Sequence, residues 1–195
     1  MSNDSANLVG PSMIDLLTRR ASAVRLTDPG PTRQQIDMIL TAAVTAADHG
    51  RIRPWRFVVM QGDGRNRLAN LMAEEQRTAN PEISEAELEK ASAKAMRGPV
   101  VIALVCKANA AHKVPVFEQQ LAVAAAGAHL MLAANALGFG ANWRTGAPAY
   151  HPIVRQGLGF GVDDAIIGFF YIGTDTQPSP IPRASIESVV QYWGN

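Results

Sequence analysis

The hydrophobic pattern of the chain alternates between segments with helical spacing and short continuous apolar runs. The first helical segment begins near Ser12, which with Asp15 resembles a capping pair. Met13, Leu16 and Leu17 then fall on one face of the predicted helix. The chain therefore opens, after a polar tail, with a short amphipathic helix.

Two further helices begin with capping boxes, in which a hydroxyl residue and a Glu or Gln three positions later bond to each other's backbone N–H groups. Thr32 with Gln35 starts a helix whose apolar positions continue to about Ala47. Ser84 with Glu87 starts a polar helix that ends at the next glycine–proline pair. Between them, Leu-rich positions 68–72 mark another helix, which the Asn-Pro pair at 80–81 ends.

A long apolar segment predicts a helix over residues 116–137 that stops at Gly138. The stretch 121–141 is long enough to cross a bilayer, but it is rich in Ala and Gly and contains His129 and Asn135. It also lacks the flanking aromatic and basic residues of a membrane span. A helix that is apolar on every side is a central core helix or is buried in a subunit interface. We predict such a helix and no membrane partner.

Four runs of β-branched, aromatic or continuous apolar residues predict strands, and a short helix from Pro152 to about Gly157 separates the last two. The predicted strands are Trp55–Met60, Val100–Cys106, Gly140–Arg144 and 166–172. So few strands with so many helices predict an α+β domain. The helices carry more apolar surface than a small sheet can cover, and the surplus predicts dimerisation.

The composition is that of one globular domain, with 195 residues, 47% of them hydrophobic and 18% charged. We place the domain at 12–195 and a flexible tail at 1–11, which lacks the features of a signal peptide. The net charge of +1 argues against a nucleic-acid partner. Cys106 is the single cysteine; it predicts a small buried hydrophobe, and the lack of a disulfide favours the reducing cytoplasm.

The four histidines lie far apart and show no pair at metal-ligand spacing, so no metal site is predicted. No nucleophile elbow, Walker loop or complete dinucleotide fingerprint is present, and no catalytic side chain is predicted.

Three loops place arginines beside aromatic or hydroxyl residues. They are 19–22 (RRAS), 48–57 (DHGRIRPWRF) and 140–146 (GANWRTG). Guanidinium groups bind oxyanions and glycine lets the backbone approach a flat ligand, so the loops together predict a pocket for an anionic, planar ligand. Two of the loops also have a simpler explanation. Arg19 and Arg20 suit a helix C-terminus, and Trp143 and Arg144 suit a strand end with a surface charge.

The chain resembles the FMN-dependent nitroreductase family, in its short bacterial branch, through three segments that occur in the same order. They are LLTRRASAVR at 16–25, the Asp-His…Pro-Trp-x-Phe loop and GFGANWRTG. The resemblance runs from about Ser12 to the C-terminus. It implies an α+β homodimer with a small, mostly antiparallel central sheet, a long buried central helix and an extended C-terminal tail that reaches the partner subunit. It also implies two interface sites, each with one FMN. Hydride would pass from NADH or NADPH through FMN N5 to nitroaromatics, quinones or similar flat oxidants.

The resemblance further implies the residues that contact FMN. They are Arg20, Ala21, Ser22, Thr45, His49, Trp143, Arg144, Thr145 and Arg183. The first three match a stretch that contacts the phosphate and ribityl chain, and 143–145 match a segment that reaches the flavin. His49 matches a contact supplied by the second subunit, with Thr45 one helical turn upstream on the same side. Arg183 matches a basic position near the phosphate.

The loop before Pro-Trp departs from the family pattern, because Asp48, His49 and Arg53 replace a Ser/Asn-rich sequence with a polar amide. A cation near the pyrimidine end of the flavin would stabilise its reduced form, and Arg53 or Arg144 is the predicted source. Two alternatives remain open. One is a flavin-handling protein, either a flavin store or a flavin-consuming oxygenase. The other is a non-enzymatic dimeric interaction protein whose arginines are solvated surface.

Overall fold

A computed structural model of the protein describes residues 11–178 and 182–194, with side chains from residue 13 onward. The flexible tail predicted for 1–11 lies outside the described residues except for Pro11. In chain order the elements are α1 (Pro11–Arg19), β1 (Leu26–Thr27), α2 (Arg33–Ala43), β2 (Trp55–Met60), α3 (Asp63–Ala79), α4 (Glu85–Ala93), β3 (Val100–Cys106), α5 (Val116–Ala136), β4 (Gly140–Arg144), α6 (Ala147–Tyr150), α7 (Pro152–Gly157) and β5 (Ala165–Asp175).

A five-stranded sheet forms the centre of the domain. β5 pairs with β1, β3 and β4, while β2 pairs with β3, and each of these pairs is antiparallel. Ile172 of β5 lies opposite both Val100 of β3 and Ala141 of β4, so β5 runs between these two strands. The predicted α+β fold, with helices around a small antiparallel sheet, is confirmed.

β3 is buried on both faces, and its alternating side chains separate two cores. Its even-numbered residues pack under α2 and α5, and its odd-numbered residues pack under α3 and α7. A strand covered on both sides needs apolar residues at every position, which is why its sequence is a continuous apolar run. Cys106 lies in the first core, where burial and the charge of Asp164 raise the pKa of its thiol to about 11. The prediction of a small buried hydrophobe is confirmed.

Both predicted capping boxes are present. The Thr32 hydroxyl accepts a bond from the Gln35 N–H, and the Gln35 side chain accepts one from the Thr32 N–H. Ser84 and Glu87 make the same exchange, and the hydrogen bonds from Ser84 lower the pKa of Glu87. α5 closely matches the predicted long helix, and Gly138 follows it in the left-handed region, with φ of 84°.

Three predicted helix boundaries are wrong. α4 ends at Ala93 rather than at the glycine–proline pair 98–99, because the chain tightens into a 3₁₀ turn over Lys94–Met96. α1 begins at Pro11, so Ser12 lies inside the helix and is not its cap; proline suits a first helical turn because its missing N–H would have no partner there. α2 ends at Ala43 rather than near Ala47. Beyond Ala43, the N–H groups of Thr45 and Ala46 donate to carbonyls only three residues earlier, which is the tighter 3₁₀ pattern and not that of an α-helix.

Two elements were not predicted, and one is longer than predicted. β1 and α6 contain only two and four residues, too few to show a hydrophobic period. β5 extends beyond the predicted 166–172 at both ends. Of the three additional residues at its C-terminal end, Gly173 pairs with β4, and Thr174 and Asp175 pair with β1.

α5 is buried along one face and exposes apolar residues on another. Phe117 and Leu121 are 67% and 52% exposed. α1, which packs against α5, also exposes apolar side chains, namely Met13, Ile14 and Leu17. Within residues 11–178 and 182–194, no helix is both long and apolar enough to cross a membrane.

Candidate functional site

The segment that follows α1 lies across β4, and we call residues 20–23 the strap. The Ala23 N–H donates to the Ala141 carbonyl at 3.0 Å, and the Asn142 side chain donates to the Ala23 carbonyl at 2.7 Å. A Cβ atom at Gly140 would lie 2.7 Å from Asp175 Cβ and 3.0 Å from Ala23 Cβ. Only glycine permits this close approach, so the glycine at the start of β4 helps to place the strap.

The two arginines at the end of α1 have different partners. Arg19 forms an exposed ion pair with Asp15, with Nε 2.7 Å from the carboxylate. Arg20 is half-buried, and no carboxylate among the described residues pairs with its guanidinium. Arg183 donates to the carbonyls of Thr18 and Arg20 and so caps the end of α1. The structure therefore places the Arg183 guanidinium against the backbone at the end of α1, beside Arg20, and its predicted contact with the FMN phosphate stays a prediction.

The indole of Trp143 is fixed against β5. Its Nε1 donates to the Ile167 carbonyl at 3.1 Å, and its ring lies 4.9 Å from that of Phe170. The register passes from Gly168 directly to Ile166, so Ile167 is the extra residue of a β-bulge. A Cβ atom at Gly168 would overlap the indole nitrogen. The bulge and the glycine together provide the acceptor and the space that this ring needs.

The strap and β4 enclose one side of an open pocket of about 560 Å³, which we call the strap pocket. Its lining residues are Leu17, Arg20, Ser22, Ala128, Met131, Leu132, Trp143 and Thr145. One cation and two hydroxyl groups thus meet an apolar wall formed by α5 and the indole. This is the chemistry that a ligand with a flat ring and an anionic group requires.

Two further contacts of predicted site residues lie along α5. Nδ1 of His49 is 2.6 Å from the Glu118 carboxylate, and Thr45 Oγ1 is 3.3 Å from Nδ1 of His129. Thr45 and His49 therefore contact α5 at positions eleven residues apart, about 16 Å along the helix axis. The prediction that Thr45 lies one helical turn before His49, on the same side, is wrong, because α2 has already ended at Ala43 and the two side chains contact different turns of α5.

The loop that carries Arg53 has an unusual backbone. Gly50, Arg51 and Arg53 all have φ between 53° and 77°, a region that residues with a Cβ atom rarely adopt. The Asp48 carboxylate accepts a bond from the Arg53 N–H at 2.6 Å and so holds this conformation. The Arg53 side chain is exposed and does not line the strap pocket.

The structure does not bring Arg144 or Ala21 into the strap pocket either. Successive side chains of β4 point to opposite faces, so Arg144 lies on the other face from Trp143, beside Tyr171. Ala21 lines a neighbouring groove on the other side of the strap. The predicted contacts of these residues with FMN stay predictions, and so do those of Arg20, Ser22, Trp143, Thr145 and Arg183.

Three residues of these clusters were not found from the sequence. Glu118, the partner of His49, lies 69 positions away and has no local signal. Gly168 does have one, because a glycine inside an apolar strand often marks a bulge or a close contact. Ile167 could not be recognised, since a bulge follows from the pairing of two strands. Among the residues that the structure describes, no group of three or more His, Cys, Asp or Glu could hold a metal ion.

Solved structures with nitroreductase-like folds share this architecture. The nitroreductase-like family protein from Bacillus cereus has a TM-score of 0.79 at 22% identity, with 100% of this chain and 98% of that chain covered. A provisionally named nitroreductase from Desulfovibrio desulfuricans, solved in complex with FMN, has a TM-score of 0.73 at 18% identity, with 98% of each chain covered. At these identities the likeness establishes the fold, which is that of the nitroreductases.

Sequence comparison establishes the family. The profile of the nitroreductase family matches residues 17–174. YdjA of Escherichia coli (strain K12), provisionally named an NAD(P)H nitroreductase, is 38% identical over 161 residues, which cover 83% of this chain and 87% of YdjA. The chain belongs to the nitroreductase family and is an oxidoreductase. The resemblance inferred from the three arginine-bearing segments is confirmed.

Proposed function

We propose that the protein is an FMN-dependent NAD(P)H oxidoreductase that reduces nitroaromatics, quinones or similar flat oxidants. The observation that carries this proposal is the strap pocket, where Arg20 and Ser22 meet Trp143 and Thr145 from a segment more than 120 positions away. Family membership and the name of YdjA support an oxidoreductase that uses NADH or NADPH. The FMN complex of the Desulfovibrio desulfuricans protein supports the choice of cofactor.

The residues of the strap pocket fit FMN. Arg20 is free of any carboxylate among the described residues and lies close to the Ser22 hydroxyl, a combination that suits a phosphate group. Trp143, Met131 and Leu132 supply the flat apolar wall that an isoalloxazine ring requires. No side chain of the pocket needs to act as an acid or a base for this fit.

The chemistry that FMN supplies when bound is transfer of hydride from NADH or NADPH, through its N5 atom, to the oxidant. The chain's own residues bind and orient. Arg20 and Ser22 hold the phosphate, with Arg183 supporting the strap from behind through the Arg20 carbonyl. The bond from Trp143 to Ile167 keeps the indole fixed, so the apolar wall is in place before the ligand arrives.

We further propose that two copies of the chain complete each site. The His49–Glu118 contact lies at the start of α5 and the strap pocket lies near Ala128, about 15 Å farther along the axis. One chain therefore carries two separated half-sites. If two α5 helices pack antiparallel about a two-fold axis, the His49 end of one faces the strap pocket of the other. The exposed apolar residues of α1 and α5 suit this contact.

A mixed dimer tests the shared site. One tagged chain carries Arg20→Ala and a differently tagged chain carries His49→Ala, and the mixed dimer is isolated by both tags. We expect each parent homodimer to lose FMN affinity at both sites. In the mixed dimer one site combines both substitutions and the other has neither, so it should bind about one FMN per two chains. Measured flavin content equal to that of the parents would show that each site lies within one chain.

The proposed chemistry is tested by absorbance. Protein as purified, or after addition of FMN, is expected to show a flavin spectrum that bleaches under anaerobic titration with NADH or NADPH. Reoxidation by a quinone or a nitroaromatic should restore the spectrum. A colourless protein that does not bind added FMN would contradict the proposal and favour the alternative of a non-enzymatic dimeric interaction protein. A flavin spectrum that neither nicotinamide bleaches would favour storage, and loss of FMN itself during turnover would favour a flavin-consuming oxygenase.

A further inference from the structure

The face of β4 that carries Arg144 borders a cavity outside the strap pocket. Two adjoining spaces of about 280 and 340 Å³ share Arg97, Arg144 and Tyr171. Arg25 lines the first space and Lys94 lines the second. We call the two together the basic cavity.

The basic cavity has an excess of positive charge. Four cations line it, and its described lining contains no carboxylate. None of the ion pairs found among residues 13–178 and 182–194 involves any of the four. Clustered cations repel one another and raise the local potential, and a bound anion would relieve this repulsion.

A buried hydroxyl group also faces the basic cavity. Tyr171 is only 3% exposed, yet it lines both spaces. Burial raises its pKa, while the nearby charges of Arg97 and Arg144 act in the opposite direction. The net direction is upward, so the phenol stays protonated at neutral pH and can donate a hydrogen bond. No residue of the described ranges supplies an acceptor for it.

We propose that the basic cavity binds a small oxyanion, and that a phosphate group is its best match. The planar guanidinium groups of Arg97 and Arg144 can each donate two hydrogen bonds to phosphate oxygens. The Tyr171 hydroxyl can donate one more. Several cations with no opposing carboxylate favour a group that carries more than one negative charge.

The phosphate group can come from two sources. Thr145 lines both the basic cavity and the strap pocket, so the two are neighbours. A phosphate of the co-substrate could therefore reach the basic cavity, an assignment that rests on the proposed function. Free phosphate needs no such assumption. Both sources share the same recognition chemistry.

Calorimetric titration with inorganic phosphate, at an ionic strength held constant with chloride, tests the site on the protein as purified. We expect binding by the unsubstituted protein, and affinity about tenfold weaker in Arg97→Gln. Tyr171→Phe should weaken binding by a smaller factor. The matched control is Arg67→Gln, which removes the same charge from the exposed side of α3. Absence of phosphate binding, or equal binding by Arg97→Gln and Arg67→Gln, would overturn the proposal.

Kinetics of the FMN-loaded protein then identify the source. If the group belongs to NADPH, Arg97→Gln raises the KM for NADPH but not for NADH, and inorganic phosphate competes with NADPH. If the ligand is free phosphate, the KM values for NADPH and NADH both stay unchanged in Arg97→Gln. The calorimetric titration still shows weaker phosphate binding by Arg97→Gln than by Arg67→Gln. Loss of FMN from folded Arg97→Gln, with phosphate affinity unchanged, would assign the cavity to the flavin and overturn the proposal. A protein that binds phosphate but not FMN would contradict the proposed function and still support a phosphate site in the basic cavity.

Discussion

Replacing Arg20 with alanine is expected to weaken FMN binding by about 10- to 150-fold. A hydrogen bond to a charged group contributes about 1.5–3 kcal/mol, and Arg20 is the cation of the strap pocket. Neither neighbouring arginine of the described structure can take over its role. Arg19 is paired with Asp15, and Arg183 donates to backbone carbonyls. The dissociation constant can be measured by quenching of flavin fluorescence as the apoprotein is added.

Arg19→Ala is the matched control for Arg20→Ala. It removes the same side chain from the adjacent position, but that side chain is exposed and its partner is Asp15. An exposed ion pair on a helix contributes only about 0.3–0.5 kcal/mol to stability, so folding and FMN affinity should barely change. Equal losses of affinity in the two variants would mean that general positive charge, rather than the position of Arg20, holds the phosphate.

Replacing Gly168 with alanine is expected to lower the free energy of unfolding by about 1–3 kcal/mol and to reduce FMN binding at the same time. The new methyl group would overlap the Trp143 indole, which would have to leave its bond to the Ile167 carbonyl. The apolar wall of the strap pocket would shift with it. Urea unfolding gives the stability. The near-ultraviolet circular dichroism, to which Trp143 contributes together with Trp55 and Trp193, reports the displaced ring.

Gly161→Ala provides the comparison for Gly168→Ala. Its Cβ atom would lie 3.7 Å from the Asp164 carboxylate, an ordinary contact, and its backbone does not require glycine. We expect stability and flavin content close to those of the unsubstituted protein. A loss of stability in Gly168→Ala with normal FMN affinity would separate the fold from the site and show that the indole is not part of the flavin wall.

The parts of the fold that the sequence predicted well depend on local chemistry. Each capping box is complete within four residues, and α5 is recognisable because its apolar run is long and stops at a glycine. The end of α2 was placed too late because the tight turn at Thr45 replaces helical bonds without a change in hydrophobic pattern. The same error placed Thr45 one helical turn before His49, on the same side.

For the candidate site, too, the sequence predicted what depends on local chemistry and missed what depends on contacts between distant segments. The sequence identified the strap and the Trp143 segment as parts of one pocket, and the fold brings them together. Two further distinctions could have been made from spacing. Asp15 lies four positions before Arg19, which marks Arg19 as the paired arginine. Neighbouring residues on a strand point to opposite faces, which separates Arg144 from Trp143. The Glu118 contact could not be predicted, because it depends on where a distant loop crosses α5.

The bulge at Ile167 sets the orientation of an aromatic ring without contributing a pair to the ladder. Leu104 opposes Gly168 and Val105 opposes Ile166, so a chain shortened by Ile167 could keep every one of these pairings. It would lose the carbonyl that the Trp143 indole bonds to. The number of residues in β5 therefore determines whether the Trp143 indole has this acceptor. Deletion of Ile167 would keep the paired residues of the sheet but remove the bond that fixes one wall of the strap pocket.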